Sequence, residues 1–374
     1  MELFKASQQW STRPDDEKFN DIQTAYEQSL AYANSSREKA NVDPATLRVE
    51  AYNSEVQLVG KGNEPATLTN WAFGQLAARV EAPASYLRKL PATLAVQNIN
   101  HGLKTRYIDP DERVNLLVHA NGGLVVRALT SEKYTRIWNH DLLRRMLDYP
   151  QYGWNTPVAF EHSGMSAATT GRTREKTIYV SDHDMFVFLV NNNNRINEPG
   201  NPEGLGRGFF VENSEVGASK LRITTFLYRF ICSNHIVWGA KDVSEIALRH
   251  VGKVKDRMNV MLDRLHIELN RYANESVSDI EAKIRTAKST IIAADQEQVI
   301  DTIFANLKKA GAPVSRKQLE AAQTLAIANE STDGKPNSIW GMAQGLTRLS
   351  QDQPFADTRL KMDEAAGRLI DMAF

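Results

Sequence analysis

The sequence predicts an α+β protein in which a mostly antiparallel β-sheet is packed by a long helix and followed by an α-helical C-terminal extension. The middle of the chain carries short runs of β-branched and aromatic residues separated by turn residues, which is typical of antiparallel strands. An apolar stripe with helical spacing follows over residues 242–272. The same helical spacing continues through residues 277–374, where no strand pattern returns.

Three regions are expected in this chain of 374 residues, which exceeds the common size of one domain. They are an N-terminal helical arm over residues 1–45, an α+β core domain over 46–275 and a helical C-terminal region over 276–374. Apolar residues recur three or four positions apart within residues 15–32. We therefore expect a helix in the arm that docks on the rest of the protein.

Short strands and capped helices are predicted in the first part of the core. Alternating apolar residues indicate strands over residues 47–51 and 56–58. Thr69 or Asn70 can cap a helix that runs to residue 80. Pro83 and Pro91 each open a further helix, because proline fits the first turn.

The clearest hairpin joins residues 114–120 to 124–129, since the Asn121-Gly122 turn supplies the positive φ that tight hairpins require. A short helix over residues 138–147 should follow it. Further strands are expected near residues 158–162, 176–181, 185–191, 209–211 and 221–230. Residues 191–208 are rich in Asn, Gly and Pro, so we expect a long surface loop there. Breaks at 311–313 and 333–336 divide the C-terminal region into about four helices.

Charge balance, cysteine count and the length of apolar runs limit which partners and which cellular compartment we expect. Lys plus Arg equals Asp plus Glu at 45 each, so a nucleic-acid surface must be local. Cys232 is the one cysteine, which excludes an intramolecular disulfide and a multi-cysteine metal site and favours a reducing compartment. No stretch of about 18 apolar residues occurs, and the N-terminus does not resemble a signal peptide. We expect a cytoplasmic protein that does not bind or span a membrane.

The long predicted helix carries the first candidate nucleic-acid surface. Helical spacing places Arg249, Lys253, Arg257 and Arg264 in one arc beside the apolar stripe, together with Arg271. Residues 249–271 contain six Lys or Arg against three Asp or Glu. This arc could follow the phosphates of DNA. The alternative is an ordinary solvated face with internal salt bridges.

A second candidate surface lies on the last predicted strand, where cations alternate with aromatic residues. The cations are Lys220, Arg222 and Arg229, and the aromatic residues are Phe226, Tyr228 and Phe230. Such a strand could hold single-stranded DNA through charge and stacking, although the aromatic rings could equally belong to the core. The hypothesis requires that the strand cations and the helix cations meet in one groove.

Enzyme signals are weak, so we expect a non-enzymatic protein without a cofactor or a metal. No histidine pair has metal-ligand spacing, no phosphate-binding loop is present, and Cys232 is flanked by apolar residues. Asp182-His183-Asp184 is typical of a turn. One alternative remains, a metal-dependent nuclease that uses the carboxylates Glu212, Glu215, Asp182 and Asp184.

Four segments together resemble the phage/plasmid-like proteins of domain of unknown function 932. They are residues 6–19 (ASQQWSTRPDDEKF), 68–95 (LTNWAFGQLAARVEAPASYLRKLPATLA), 127–139 (RALTSEKYTRIWN) and 208–239 (GFFVENSEVGASKLRITTFLYRFICSNHIVWG). The resemblance covers roughly the first two thirds of the chain and implies an origin in a mobile element. It supplies no active site to transfer onto this sequence.

A mobile-element origin implies a role in recombination, replication or defence evasion. The predicted element order is similar to that of annealing proteins of the RecT, Erf and Redβ kind, which is an analogy of fold. We therefore favour a non-enzymatic protein that binds DNA, with single-strand binding and annealing preferred, and that forms a homo-oligomer. The alternative is a protein-interaction or anti-defence factor that binds a host protein.

Overall fold

The computed structural model describes residues 14–60, 64–105, 111–120, 122–156, 177–229, 234–236, 246–252, 254–274, 276–312, 314–351 and 356–372. These residues form an α+β fold, as predicted, with two β-sheets and a helical C-terminal region. None of the helices in this part of the chain combines the length and the apolar character that crossing a bilayer demands.

The strands of the described residues, in chain order, are β1 (Lys18–Phe19), β2 (Ser36–Val42), β3 (Arg48–Tyr52), β4 (Glu55–Val59), β5 (Pro65–Leu68), β6 (Val114–Ala120), β7 (Leu124–Ser131), β8 (Trp154–Asn155), β9 (Ile178–Val180), β10 (Met185–Glu198), β11 (Asn201–Asn213), β12 (Leu221–Arg229), β13 (Asn234–Ile236) and β14 (Ile246–Leu248). The predicted hairpin is confirmed as β6 and β7, and its turn residue Asn121 lies outside the described residues.

The α-helices of the same residues are α1 (Ile22–Asn34), α2 (Asn70–Arg79), α3 (Ala84–Leu87), α4 (Ala92–Lys104), α5 (Asn139–Met146), α6 (Val254–Asn274), α7 (Ser278–Ser289), α8 (Gln296–Lys309), α9 (Arg316–Ala328), α10 (Glu330–Asp333), α11 (Ile339–Gln351) and α12 (Ala356–Asp371). Thr69 caps α2 by accepting a hydrogen bond from the Ala72 amide, as the sequence predicts. The C-terminal region contains more helices than the four expected, because α9, α10 and α11 follow one another with short connections.

The strands form one large sheet and one small sheet. The large sheet has the order β1-β9-β10-β11-β12-β13, with β8 beside β10 and β14 beside β12, and all its pairings are antiparallel. The small sheet has the order β2-β6-β7-β5-β4-β3, where only β5 and β7 run parallel. The predicted mostly antiparallel arrangement is therefore confirmed for the described strands.

The two faces of the large sheet are covered differently. Alternate residues of its central strands, such as Val187, Phe209 and Ile223, pack with α1, α5 and α6 in one core. The residues between them, including Phe188 and Phe210, form a separate aromatic cluster on the opposite face. Successive side chains of a strand point to opposite sides. Both sets are buried on these central strands, so both faces of the sheet are covered there.

The small sheet packs one face on α2 and α4. Its edge strand β3 is blocked at one residue by a side chain. The Asn100 amide of α4 accepts from the Val49 amide nitrogen and donates to the Val49 carbonyl oxygen, each at 2.8 Å. Asn100 thereby takes the place of a neighbouring strand at that point of the edge.

The prediction of a surface loop over residues 191–208 is wrong, since β10 and β11 continue through these residues as one long hairpin. Ile196 and Leu205 are fully buried and belong to the core of the C-terminal helices. Glycine makes the irregular pairing possible, because Gly204 has a φ of +67° that disfavours other residues. Distant helices thus supply the apolar contacts that the local composition lacks.

The long helix predicted from residue 242 begins later, at Val254. Ile246–Leu248 is instead strand β14, and Gly252, with a φ of +71°, separates it from α6. Val251, which fits the apolar stripe of the predicted helix, is exposed. The expected strand at residues 158–162 lies outside the described residues.

Candidate nucleic-acid interface

Helix α6 presents one buried and one exposed face, as its periodicity predicts. Met258, Leu262, Leu265 and Leu269 are buried against the large sheet. At the C-terminal end of the helix, the Tyr272 hydroxyl donates to the Phe226 carbonyl oxygen of β12 at 3.1 Å. The sheet therefore fixes which side of α6 meets solvent.

The exposed face of α6 carries a single line of five residues spaced three or four apart, which we name the arginine–aliphatic row. The Arg264 and Arg271 side chains are 75% and 57% exposed. Val260 and Ile267 are 69% and 68% exposed, the largest values among the exposed large hydrophobic residues of the described chain. The row consists of Arg257, Val260, Arg264, Ile267 and Arg271.

One acidic residue partly neutralises this row. Glu268 lies 3.9 Å from Arg264 and 3.0 Å from Arg271, measured between side-chain oxygen and nitrogen atoms. Asp263, on the other flank of the helix, pairs instead with Arg145 of α5. Surface ion pairs contribute about 0 to 1 kcal/mol. Glu268 is only 20% exposed, but both arginines are mostly in solvent and can turn towards another anion.

Among the described side chains, Arg222 lies on the opposite face of the large sheet from the cations of α6. Its guanidinium lies 5.9 Å from the centre of the Phe210 ring on that face. It also donates to Glu212 from Nε at 2.9 Å and from Nη2 at 2.5 Å. Phe226 is buried on that face, so its ring is not available for base stacking. The alternation of β12 is responsible, because α6 covers only the odd-numbered side.

The other predicted cations have different positions. Lys220 is exposed just before β12. Arg249 is exposed but precedes the Gly252 turn, so it does not continue the arc of α6. Arg229 ends β12, opposite Asn234 of β13, and its side chain is outside the described residues, as is the whole of Lys253. Of the helix cations, Arg257 and Arg264 share the exposed face with Arg271.

A buried polar junction between the two sheets was not predicted. The Arg127 Nη2 atom of β7 donates to Glu215 Oε2 at 2.8 Å, and both side chains are almost fully buried. The backbone amide of Asn139 in α5 donates to the other carboxylate oxygen of Glu215 at 2.8 Å. Trp71 and Gln75 of α2 both donate to the Val216 carbonyl. The turn after β11 therefore links the large sheet to the small one.

A β-bulge in the small sheet positions Arg127. The register between β6 and β7 shifts there, so Val126 and Leu129 pack in one core while Arg127 and Ala128 face the other way. Because 88 residues separate Arg127 from Glu215, no local spacing could have indicated the pair. The bulge itself has no clear signature in the sequence.

The carboxylates of the nuclease hypothesis all have internal partners. Glu212 pairs with Arg222, and Glu215 pairs with Arg127. The predicted turn at Asp182 and Asp184 is confirmed, with Ser181 Oγ donating to Asp184 Oδ1 at 2.6 Å and His183 Nδ1 lying 2.7 Å from Asp182 Oδ1. Among the described residues, no group of three or more His, Cys, Asp or Glu is arranged to hold a metal ion. Cys232 lies outside them.

A cavity of about 160 Å³ adjoins the polar junction. Its lining includes Asp16, Glu17, Asp182 and Glu215, together with Tyr32, whose ring lies 4.5 Å from the Arg127 guanidinium. The acidic lining opposes the entry of a phosphate group. The cavity therefore does not extend the cationic face of α6.

His250 lies on the segment that leads into α6. Its ring stacks on Tyr134 at 5.1 Å between centroids, and its carbonyl accepts from the Thr135 amide at 2.9 Å. Burial, together with the nearby Arg136 guanidinium, lowers the pKa of His250 to about 4. The imidazole is therefore neutral at physiological pH.

The fold and the site define an α+β protein with two sheets, a buried ionic junction between them and a helix that exposes a row of arginines. The chain belongs to the family described as domain of unknown function (DUF932), whose model matches residues 131–366. The match confirms the family, but its extent differs from the resemblance: segments 6–19 and 68–95 precede the matched residues, as does most of the small sheet, and the match continues into the helical C-terminal region. No curated protein and no solved structure matches the chain.

Proposed function

We propose that this protein is a non-enzymatic DNA-binding factor of a phage or plasmid that holds the phosphate backbone of DNA along the exposed face of α6. The observation that carries the proposal is the line of arginines in the arginine–aliphatic row, which stands on a rigid helix packed on the large sheet. Neutralising phosphates with arginine releases counterions and so favours binding at low salt.

The mobile-element setting is part of the same proposal and rests on the family resemblance. Binding of this kind needs no catalytic group, because holding or annealing strands requires only contacts to the backbone. The internal pairing of Glu212 and Glu215 is compatible with such a role, since both carboxylates serve ion pairs within the fold.

The test is fluorescence anisotropy with a labelled oligonucleotide at two or more salt concentrations. We expect binding at micromolar protein in low salt and a steep loss as salt increases. The triple variant Arg257→Gln, Arg264→Gln, Arg271→Gln should bind at least tenfold more weakly and with a shallower salt dependence. Each lost contact should reduce the slope by about 0.7 to 0.9.

Arg285→Gln is the matched control, because Arg285 pairs with Glu281 at 3.9 Å and i, i+4 spacing as Arg264 does with Glu268. Its affinity for DNA should equal that of the wild type. No binding of single- or double-stranded DNA by the wild type in low salt would refute the proposed function.

A further inference from the structure

The arginine–aliphatic row is not purely cationic, and its composition bears on the kind of DNA it fits. Val260 and Ile267 lie between the arginines, two helical turns apart, and roughly two thirds of each side chain is exposed. Aliphatic side chains in such a position gain free energy by contacting apolar surface. A ligand that covers the whole row must therefore offer negative charge and apolar surface alternately.

Paired and unpaired DNA differ in this respect. A duplex presents phosphates and sugars on its outside and keeps the faces of its bases stacked within. An unpaired strand exposes base faces beside the same phosphates, which is why single-strand binding sites combine cations with apolar or aromatic contacts. At 1.5 Å of rise per residue, the row from Arg257 to Arg271 extends over roughly 20 Å, enough for several nucleotides.

The opposite flank of α6 argues against a partner helix on the same row. Asp256 and Asp263 lie there, on the far side of Val260 and Ile267 from the arginines, and Asp263 pairs with Arg145 of α5. An acidic helix, with a diameter of about 10 to 12 Å, would place its carboxylates near Asp256 and would compete with Asp263 for Arg145. A single strand is narrower and can contact the arginines and the aliphatic side chains alone.

We propose that the arginine–aliphatic row selects unpaired over paired DNA, with the arginines on phosphates and with Val260 and Ile267 against the bases. This inference rests on the proposed function. It adds a preference for single-stranded over double-stranded DNA and names the two residues that determine that preference. The contact is sequence-independent, because every base offers an apolar face.

The experiment compares the wild type with the double variant Val260→Ser, Ile267→Ser, using a labelled single strand and the matching duplex. We expect the wild type to prefer the single strand. The double variant should lose about tenfold in single-strand affinity, a factor consistent with two modest apolar contacts. Its duplex affinity and its salt slope should stay unchanged, because the arginines remain.

Ile327→Ser is the control, since Ile327 is an exposed aliphatic residue on α9. Circular dichroism of each variant checks that the overall helical content is unchanged. Equal affinities of the wild type for single strand and duplex, or an unchanged double variant, would overturn this inference while the proposed function stands. Absence of all DNA binding would overturn both.

Discussion

At the scale of single residues, the distinction between exposed and buried ion pairs separates candidate binding residues from structural ones. Arg264 and Arg271 are exposed and share Glu268, whereas Arg127 and Glu215 are buried together. Removing one member of a buried pair leaves an uncompensated charge and costs about 3 to 5 kcal/mol. Only the exposed arginines can transfer to a ligand without damaging the fold.

Glu268 should therefore act as a competitor of DNA for two arginines of the row. We expect Glu268→Gln to raise the affinity for an oligonucleotide by about two- to fivefold in low salt, because it removes one negative charge from the site. The gain should disappear in high salt, where exposed charges are screened. Anisotropy titrations at both salt concentrations measure it.

Glu281→Gln serves as the comparison, because Glu281 has the same spacing to Arg285 and nearly the same exposure as Glu268. Its DNA affinity should not change. An equal gain in both variants would mean that overall charge, and not the position of Glu268, determines the effect.

At the scale of elements, the long hairpin of β10 and β11 connects the large sheet to the C-terminal helices. Its tip contributes Ile196 and Leu205 to the helical core, and Glu198 accepts from the Trp340 indole nitrogen at 3.1 Å. Nearer the sheet, Gly208 leaves room for the Phe226 ring, with which any added Cβ atom would collide. The hairpin depends on close packing that a glycine-rich sequence alone does not reveal.

Gly208→Ala should accordingly destabilise the protein by about 1 to 3 kcal/mol, the usual cost of forcing an extra carbon into a packed core. Urea denaturation followed by circular dichroism measures the change. Adding Phe226→Leu should recover part of the loss, because the smaller side chain can make room. Gly123→Ala, where no heavy atom lies within 4 Å of the added carbon, should have little effect.

At the scale of the whole molecule, the two sheets are joined by buried polar contacts at two places. One is the Arg127–Glu215 pair. The other is the segment around His250, which lies between β14 and α6 and contacts Tyr134 and Thr135, just after β7. Protonating a group buried in such a junction lowers the stability of the fold. His250 is such a group, and its pKa sets the pH range in which stability changes.

The folded protein should lose stability as the pH falls from about 6.5 to about 4. His250 has a pKa of about 4 in the fold against 6.5 for an unperturbed imidazole, so the unfolded chain takes up its proton first. The neutral His250 therefore contributes fully to the free energy of unfolding above pH 6.5. This contribution is about 3 kcal/mol, and it is lost by about pH 4. Denaturation at a series of pH values measures it.

In His250→Phe, the free energy of unfolding should change less between pH 6.5 and pH 4, while the ring still stacks on Tyr134. Phenylalanine keeps a flat ring that can stack on Tyr134, and it has no group that takes up a proton. His101→Phe, a change at an exposed histidine of α4, should leave the slope unaltered. A slope that stays steep in His250→Phe would attribute the acid sensitivity to other groups.

Local signals in the sequence predicted local structure well. The cap at Thr69, the β6–β7 hairpin and the apolar face of α6 all depend on residues close in the chain. The tip of the long hairpin and the start of α6 depend on contacts with distant helices and on Gly252, which no short pattern reveals. For the candidate site, periodicity placed Arg257 and Arg264 on one face, but only the sheet could show that Arg222 faces away from them.

Helix α6 is held in place at both of its ends by contacts with other segments. Before its first turn, the His250 carbonyl accepts from Thr135 and Val251 forms a bridge with Tyr134, both in the segment after β7. At its last turn, Tyr272 donates to β12. A fragment that lacks the large sheet would leave the helix free to rotate, so deletion mapping would mistake a loss of alignment for the loss of a contact residue. Point substitutions on the intact chain avoid that error.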